Sequence, residues 1–125
     1  MILSFSNDLP IYAQLIEQIK VGIATGVFPP GGRLPSVREL AMEAGVNPNT
    51  MQRALSQLET EGLLYSQRTA GRFVTQDDAR IAVMKRELAQ KHLRAFIESM
   101  YRLAISREEA LAMLDVEYGK ETKKE

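Results

Sequence analysis

A chain of 125 residues, 45% hydrophobic and 26% charged, has the length of one compact unit or of a small domain with an appendage, and enough apolar side chain to build a core. Sixteen basic residues cancel sixteen acidic ones, so net charge gives no sign of a polyanionic partner. The absence of cysteine excludes a disulfide framework, a thiol nucleophile and a thiolate metal site, and a single histidine, His92, excludes a two-histidine metal centre within one chain.

No apolar run is long enough to span a membrane. The opening residues lack the basic end and extended apolar stretch of a secretion signal, which makes residence in the cytoplasm the expectation.

The first predicted helix covers about residues 10–25. Tyr12, Leu15, Ile16, Ile19 and Ile23 recur at the spacing of one buried face, with Gln14, Glu17, Gln18 and Lys20 opposite. Gly26 reads as its stop. Residues 28–35, rich in proline and glycine, read as a turn-rich connector. Ser36 opens a second helix: its hydroxyl suits the N–H of Glu39 and the Glu39 carboxylate suits the N–H of Ser36, a capping box. Val37, Leu40, Ala41 and Ala44 form the apolar stripe, and Gly45 ends the helix. Asn47 followed by Pro48 opens a third helix over 48–61, closed by Gly62.

Two helices joined by a tight glycine turn suggest a helix-turn-helix, with a generic helical hairpin as the plainer alternative. The runs 63–67 and 72–75 are β-compatible and flank Arg68, Thr69, Ala70 and Gly71, which reads as a β-hairpin. A hairpin directly after a helix-turn-helix is a wing. A long helix then follows from Asp78 to about Ala104, and Ser106 with Glu109 forms a second capping box before a shorter helix that stops near Gly119. The tail from Lys120 to Glu125 is polar and expected to fray. The predicted fold class is mainly α, an α+β winged helix-turn-helix over residues 8–76, with a two-helix extension over 77–119 and a polar tail over 120–125.

The third helix carries the chemistry. At about 100° per residue, Met51, Ala54, Leu55 and Leu58 point to one side, and Asn49, Gln52, Arg53 and Ser56 point away. The outward face offers amides, a hydroxyl and a guanidinium, with no carboxylate before Glu59. Amides suit adenine edges, and arginine suits guanine edges or phosphate; an ordinary solvated helix face is the plainer reading. Arg38, in the first turn of the second helix, is placed for a phosphate or for an ion pair with Glu39 or Glu43. Arg68 and Arg72 bracket the hairpin tip, where an arginine can reach a phosphate or the minor groove. Through Thr75 the charges balance: Lys20, Arg33, Arg38, Arg53, Arg68 and Arg72 against Asp8, Glu17, Glu39, Glu43, Glu59 and Glu61. Binding to DNA would therefore depend on sidedness and would gain from a dimer.

Several stretches together resemble a known family: Pro-Ile-Tyr at 10–12, Pro-Gly-Gly-Arg-Leu-Pro-Ser-Val-Arg-Glu-Leu-Ala at 30–41, Gly-Val-Asn-Pro-Asn-Thr at 45–50 and Leu-Glu-Thr-Glu-Gly-Leu at 58–63. They are similar to the winged helix-turn-helix of GntR-family bacterial transcription regulators. The few residues that follow the wing resemble the short YtrA-type subfamily, in which two helices mainly serve dimerisation. The resemblance implies DNA contacts by Arg38, by Asn47, Asn49, Thr50 and Gln52 or Arg53, and by the wing tip with Arg68, Gly71 and Arg72; Ser36 at the start of the second helix completes the candidate DNA-binding residues. Two departures stand out: many relatives carry an arginine where this chain has Pro48, and the usual Gly-Lys-Gly-Thr wing tip is replaced by Thr69, Ala70, Gly71 and Arg72.

The expected function is a DNA-binding regulator, a repressor acting as a homodimer on a pseudo-palindromic operator. A winged-helix protein-interaction module is the alternative; an enzyme finds no nucleophile–base pair, phosphate loop or metal constellation in the sequence. In the extension, Met84, Leu88, Phe96, Met100, Leu103, Leu111 and Leu114 are the candidates for a dimer interface. A pocket between the subunits for an apolar small-molecule effector, lined by Met84, Phe96, Met100, Tyr101 and Met113, is the competing use of the same stripe. His92 reads as a packing or surface residue, and no cofactor is expected.

Overall fold

The computed structural model describes residues Pro10–Glu121. In chain order the elements are α1 (Ile11–Ala24), α2 (Val37–Ala44), α3 (Pro48–Thr60), β1 (Leu64–Gln67), β2 (Gly71–Val74), α4 (Asp78–Arg102) and α5 (Arg107–Glu121). The two strands pair antiparallel, with Leu64 opposite Val74 and Gln67 opposite Gly71. Tyr65 and Phe73, also opposite one another, stack with ring centroids 5.6 Å apart. The architecture is a mainly helical winged helix followed by a pair of helices.

The chain divides into two compact units, one ending at Leu88 and the other beginning at Ala89. In the first, the apolar faces of three helices and the wing close on one another. Leu15, Ile19 and Ile23 of α1 meet Leu40 and Ala41 of α2 and the fully buried Met51, Ala54, Leu55 and Leu58 of α3. Leu63, Leu64 and Val74 seal the base of the wing. Met84, 1% exposed, brings the opening turns of α4 into this core, with Ile81 and Leu88 packed against it.

Two local features differ from the sequence expectation. The connector after α1 is more than a turn. Gly31 and Leu34 donate N–H bonds to the carbonyls of Val74 and Arg72, and Val74 donates to Gly32, all at 2.9 Å. Residues 31–34 thus run along β2 as a short third edge; proline and glycine are compatible with an edge position, where not every N–H is needed. The second difference is at Gly119, which does not end α5. The helix continues to Glu121, and the Lys120–Glu117 ion pair spans its last turn at 3.2 Å. A glycine inside a helix costs only about 1 kcal/mol relative to alanine, so it stops a helix only where the chain also turns left-handed. Lys120 and Glu121 are therefore helical, and 122–125 lie outside the described residues, as do residues 8 and 9 at the other end.

In the second unit the later turns of α4 return through residues 103–106 into α5. Ala104 takes a left-handed φ of 57°, and Ile105 N–H reaches back to the Met100 carbonyl at 2.9 Å, closing α4 with a Schellman-type cap. The predicted capping box opens α5, Glu109 N–H donating to Ser106 Oγ at 3.1 Å and Ser106 N–H to Glu109 Oε1 at 3.5 Å. Among the described residues of this unit only Ala110, 8% exposed, is buried.

A polar clasp holds the C-terminal end of α3. Lys20 Nζ lies 2.8 Å from Glu61 Oε1, Gln57 Nε2 donates to Glu61 Oε2 at 3.1 Å, and Arg80 Nε donates to the Glu61 carbonyl at 2.8 Å. Partial burial pushes the Glu61 carboxyl up, but the hydrogen bonds from Lys20 and Gln57 and the charges of Lys20 and Arg80 outweigh it, leaving the group below its ordinary value. A carboxyl lowered by folding stabilises the chain above its unfolded pKa, and that contribution disappears as pH falls through the folded value.

Two outcomes are expected of this fold. Glu61→Gln will flatten the loss of stability as pH falls below the ordinary carboxyl range, measured by urea unfolding, with the curves converging in stronger acid. Leu58→Ala, which empties a fully buried site, will cost about 2–5 kcal/mol in the same measurement; equal slopes in the first case, or a loss below 1 kcal/mol in the second, would contradict these assignments.

Candidate nucleic-acid interface

The geometry of α2 and α3 follows from three local devices. Ser36 Oγ accepts from Glu39 N–H at 3.1 Å while Ser36 N–H donates to Glu39 Oε1 at 3.2 Å, so the capping box fixes where α2 begins. Gly45 turns left-handed (φ 68°, ψ 35°), its N–H donates to Met42, and the N–H of Val46 returns to the Ala41 carbonyl at 3.0 Å. Asn47 Oδ1 then accepts from Asn49 N–H at 2.7 Å, and Pro48 fills the first helical position. Only two residues thus separate one helix stop from the next helix start. The caps also use the Ser36 and Asn47 oxygens internally, leaving the Ser36 O–H and the Asn47 amide nitrogen for an outside contact.

With Met51, Ala54, Leu55 and Leu58 in the core, the helical period turns Asn49, Gln52 and Arg53 to the surface and leaves Thr50 half-buried. Arg53 is not loose there. Its guanidinium carbon sits 4.7 Å from the ring centroid of Tyr12 on α1, a cation–π contact that periodicity alone could not show. Gln52 Nε2 donates to Ser56 Oγ at 3.4 Å.

The wing lies beside this face. At its tip Ala70 N–H donates to the Gln67 carbonyl at 3.0 Å, and Thr69 adopts φ 69°. A β-branched residue is rare in that conformation. Thr69 stands where the resemblance places a glycine, so the missing glycine is a real conformational cost and not a shift of register. Gly71 has φ 112°, and a Cβ there would stand 3.0 Å from Arg33 Nε. Arg33, which the sequence reading left out of the site, therefore lies across the base of the tip; its signal was the pairing of 31–34 with β2, which no periodicity reveals.

The arginines divide into two groups. Arg33, Arg38 and Arg68 are exposed and form no ion pair with the described residues, so Arg38 does not make the surface pair with Glu39 or Glu43 weighed above. Arg72 differs from the expected tip arginine. Its side chain, 15% exposed, turns back toward α3, with Nη1 3.5 Å from Gln52 Oε1 and Nε 3.5 Å from Glu59 Oε1. Glu59 also accepts a short bond from Ser66 Oγ. Glu59, the carboxylate borne by α3 itself next to its outward face, is thus paired with its neighbours, and Glu39 is held in its cap. What remains is amide, hydroxyl and guanidinium groups on one side of a near-neutral unit.

Of the residues expected in an interface between copies, Met84 is not available: it belongs to the core of its own chain. Leu88 is half-buried against that core. Phe96, Met100, Leu111 and Leu114 line an apolar cavity of about 230 Å³ in the second unit, together with Tyr101, whereas Leu103 is 66% exposed and lies outside it. Neither Met84 nor Met113 lines that cavity, which lies within one chain and is not the pocket between subunits weighed above. Among the described residues no three His, Cys, Asp or Glu side chains gather as a metal site, and no helix is long and apolar enough to cross a membrane.

The strain at the tip is testable. Thr69→Gly relieves the left-handed Thr but adds freedom to the unfolded chain; the expected net gain is about 1 kcal/mol in urea unfolding. A loss of stability would show that Thr69 contributes contacts worth more than its conformation costs.

Comparison with known proteins agrees with this geometry. Residues 11–74 match the profile of bacterial regulatory proteins of the gntR family. The HTH-type transcriptional regulator YhcF of Bacillus subtilis is 36% identical over 107 residues, spanning 86% of this chain and 88% of that protein. The HTH-type transcriptional repressor YtrA of the same organism is 37% identical over 90 residues, 67% of this chain and 69% of its own. Among solved structures, a GntR family transcriptional regulator from Listeria monocytogenes superposes with a TM-score of 0.82 at 37% identity, covering 89% of this chain and 97% of that one. The DNA-binding domain of AraR, solved in complex with operator ORX1, gives a TM-score of 0.54 at 35% identity over 58% of this chain and 93% of its own. These relatives are regulators and not enzymes. With its helix-turn-helix, its wing and this match across both, the chain belongs to the gntR family of bacterial transcriptional regulators.

Proposed function

We propose that this chain is a cytoplasmic, sequence-specific DNA-binding repressor that acts as a homodimer on a pseudo-palindromic operator. The observation that carries the reading is the N-terminal half of α3: Asn49, Gln52 and Arg53 exposed, no unpaired carboxylate among them, and Arg33, Arg38 and Arg68 on the flanking segments without ion partners among the described residues. In this reading α3 enters the major groove by its N-terminal end, where Asn47, Asn49, Thr50, Gln52 and Arg53 meet base edges and phosphates. Ser36 and Arg38, at the start of α2, take a phosphate beside free helix N–H groups. Arg68 and the Gly71 backbone bring the wing to the adjacent strand or minor groove. The names of two relatives, the repressors YtrA and NagR of Bacillus subtilis, support the sign of regulation. The operator complex of AraR supports duplex DNA as the partner.

A near-neutral unit makes few phosphate contacts and would bind weakly alone. Two linked units multiply the contacts and hold the second half-site at high effective concentration. The exposed Leu93, Ile97, Leu103 and Leu111 of the second unit supply an apolar face that a second copy would cover. The cavity that Leu93, Ile97 and Leu111 also line is where an apolar effector would bind to release the operator.

Binding of double-stranded DNA at several salt concentrations separates the roles. Arg38→Ala is expected to weaken all sequences alike and to reduce the salt slope by about one. Asn49→Ala is expected to lower discrimination between operator and non-operator DNA by about 1–3 kcal/mol while leaving the salt slope in place. Identical behaviour of the two variants would refute this division, and a sedimentation mass of one chain at binding concentrations would refute the homodimer.

A further inference from the structure

The polar side chains between α3 and the wing form a connected set, of which the reading above uses Gln52 alone. Arg72 sits in β2 opposite Ser66 and is largely shielded from solvent. Its Nη1 donates to the Gln52 carbonyl oxygen at 3.5 Å. Its Nε approaches Glu59 Oε1 at 3.5 Å as an ion pair without hydrogen-bond alignment, and that carboxylate also accepts from Ser66 Oγ. At the far end of the amide, Gln52 Nε2 donates to Ser56 Oγ.

These neighbours decide which way round the amide sits. The two ends of a glutamine amide are alike in shape and opposite in hydrogen-bonding sense. A guanidinium carries donors only, so the end facing Arg72 has to be the oxygen; reversed, the amide would aim N–H at N–H. The Ser56 hydroxyl accepts or donates equally well and imposes no order of its own. An unrestrained glutamine can turn over and suit several base edges. One held by a donor offers a single order of acceptor and donor, using the second lone pair of its oxygen and the second hydrogen of its nitrogen, and a base edge is recognised by that order.

We propose that Arg72 is a positioning residue for base recognition: anchored by Glu59, it fixes the polarity of the Gln52 amide and so sets the preference at one base pair per chain. The proposal rests on the DNA-binding reading above. The wing then contributes to sequence choice through a side chain that need not itself reach a base. Glu59 offsets the charge of Arg72 and little of its surface is open, so a direct phosphate anchor is the weaker use of this arginine.

Selection of the full chain and its variants against a randomised double-stranded DNA library, read by sequencing, tests this. Gln52→Ala identifies the base pair that Gln52 reads. Arg72→Met is expected to reduce discrimination at that same pair about tenfold and to leave the other positions of the site unchanged. Arg72→Lys, which keeps a donor and the charge, is expected to retain most of the preference. In the Gln52→Ala background Arg72→Met should have no further effect at that pair. Should Arg72→Met fail to fold by circular dichroism, Glu59→Gln gives the same readout by loosening the anchor. A uniform loss of affinity with an unchanged base profile would overturn the proposal and leave the DNA-binding reading intact. Enrichment of no sequence by the unmodified chain would overturn the DNA-binding reading itself.

Discussion

The rotational setting of α3 governs the rest of the structure. Met51, Ala54, Leu55 and Leu58 are between 0% and 1% exposed, so the helix cannot roll about its axis without carrying an apolar side chain into water. Fully burying a side chain of this size is worth about 1.5–3 kcal/mol, and the stripe has several. That constraint, and not any contact on the outer side, decides that Asn49, Gln52 and Arg53 face outward. The caps at Ser36, Gly45 and Asn47 then fix the helix along its axis. Rotation and position are both set before a partner arrives, which is what preorganised recognition requires.

Much of this was legible in the amino acids because it rests on local rules. The two capping boxes, the Asn47-Pro48 helix start and the buried stripe of α3 each depend on residues within one or two turns of one another, and the structure forms each as the spacing predicts. What was not legible depends on contacts between segments distant in the chain. The pairing of 31–34 with β2, the stacking of Arg53 on Tyr12 and the turning of Arg72 toward α3 bring together residues some 20 to 40 positions apart. The outward face of α3 was therefore legible in the spacing, while the restraint on its side chains was invisible. Gly119 illustrates the opposite error, a local signal without the left-handed turn that would give it force.

Electrostatics here is a matter of arrangement more than of quantity. Acidic groups are abundant in the winged unit, yet those nearest the outward face of α3 are each occupied: Glu39 in a cap, Glu59 by Arg72 and Ser66, Glu61 by Lys20 and Gln57. Exposed ion pairs contribute little to stability, so the significance of these contacts lies in which charges they remove from the surface. Arg33, Arg38 and Arg68 are left without a counter-charge from the described residues. A near-neutral unit can present an uncompensated positive border in this way, at the cost of depending strongly on ionic strength.

The short edge formed by residues 31–34 has a further consequence. A two-stranded hairpin normally leaves open backbone along its flank, and such a flank is a template for sheet extension between molecules. Here Gly31, Gly32 and Leu34 already occupy the backbone groups of Arg72 and Val74. That flank of β2 therefore offers no seam along which one hairpin could zip onto the next when copies meet, so the segment that links two helices also acts as a guard against aggregation.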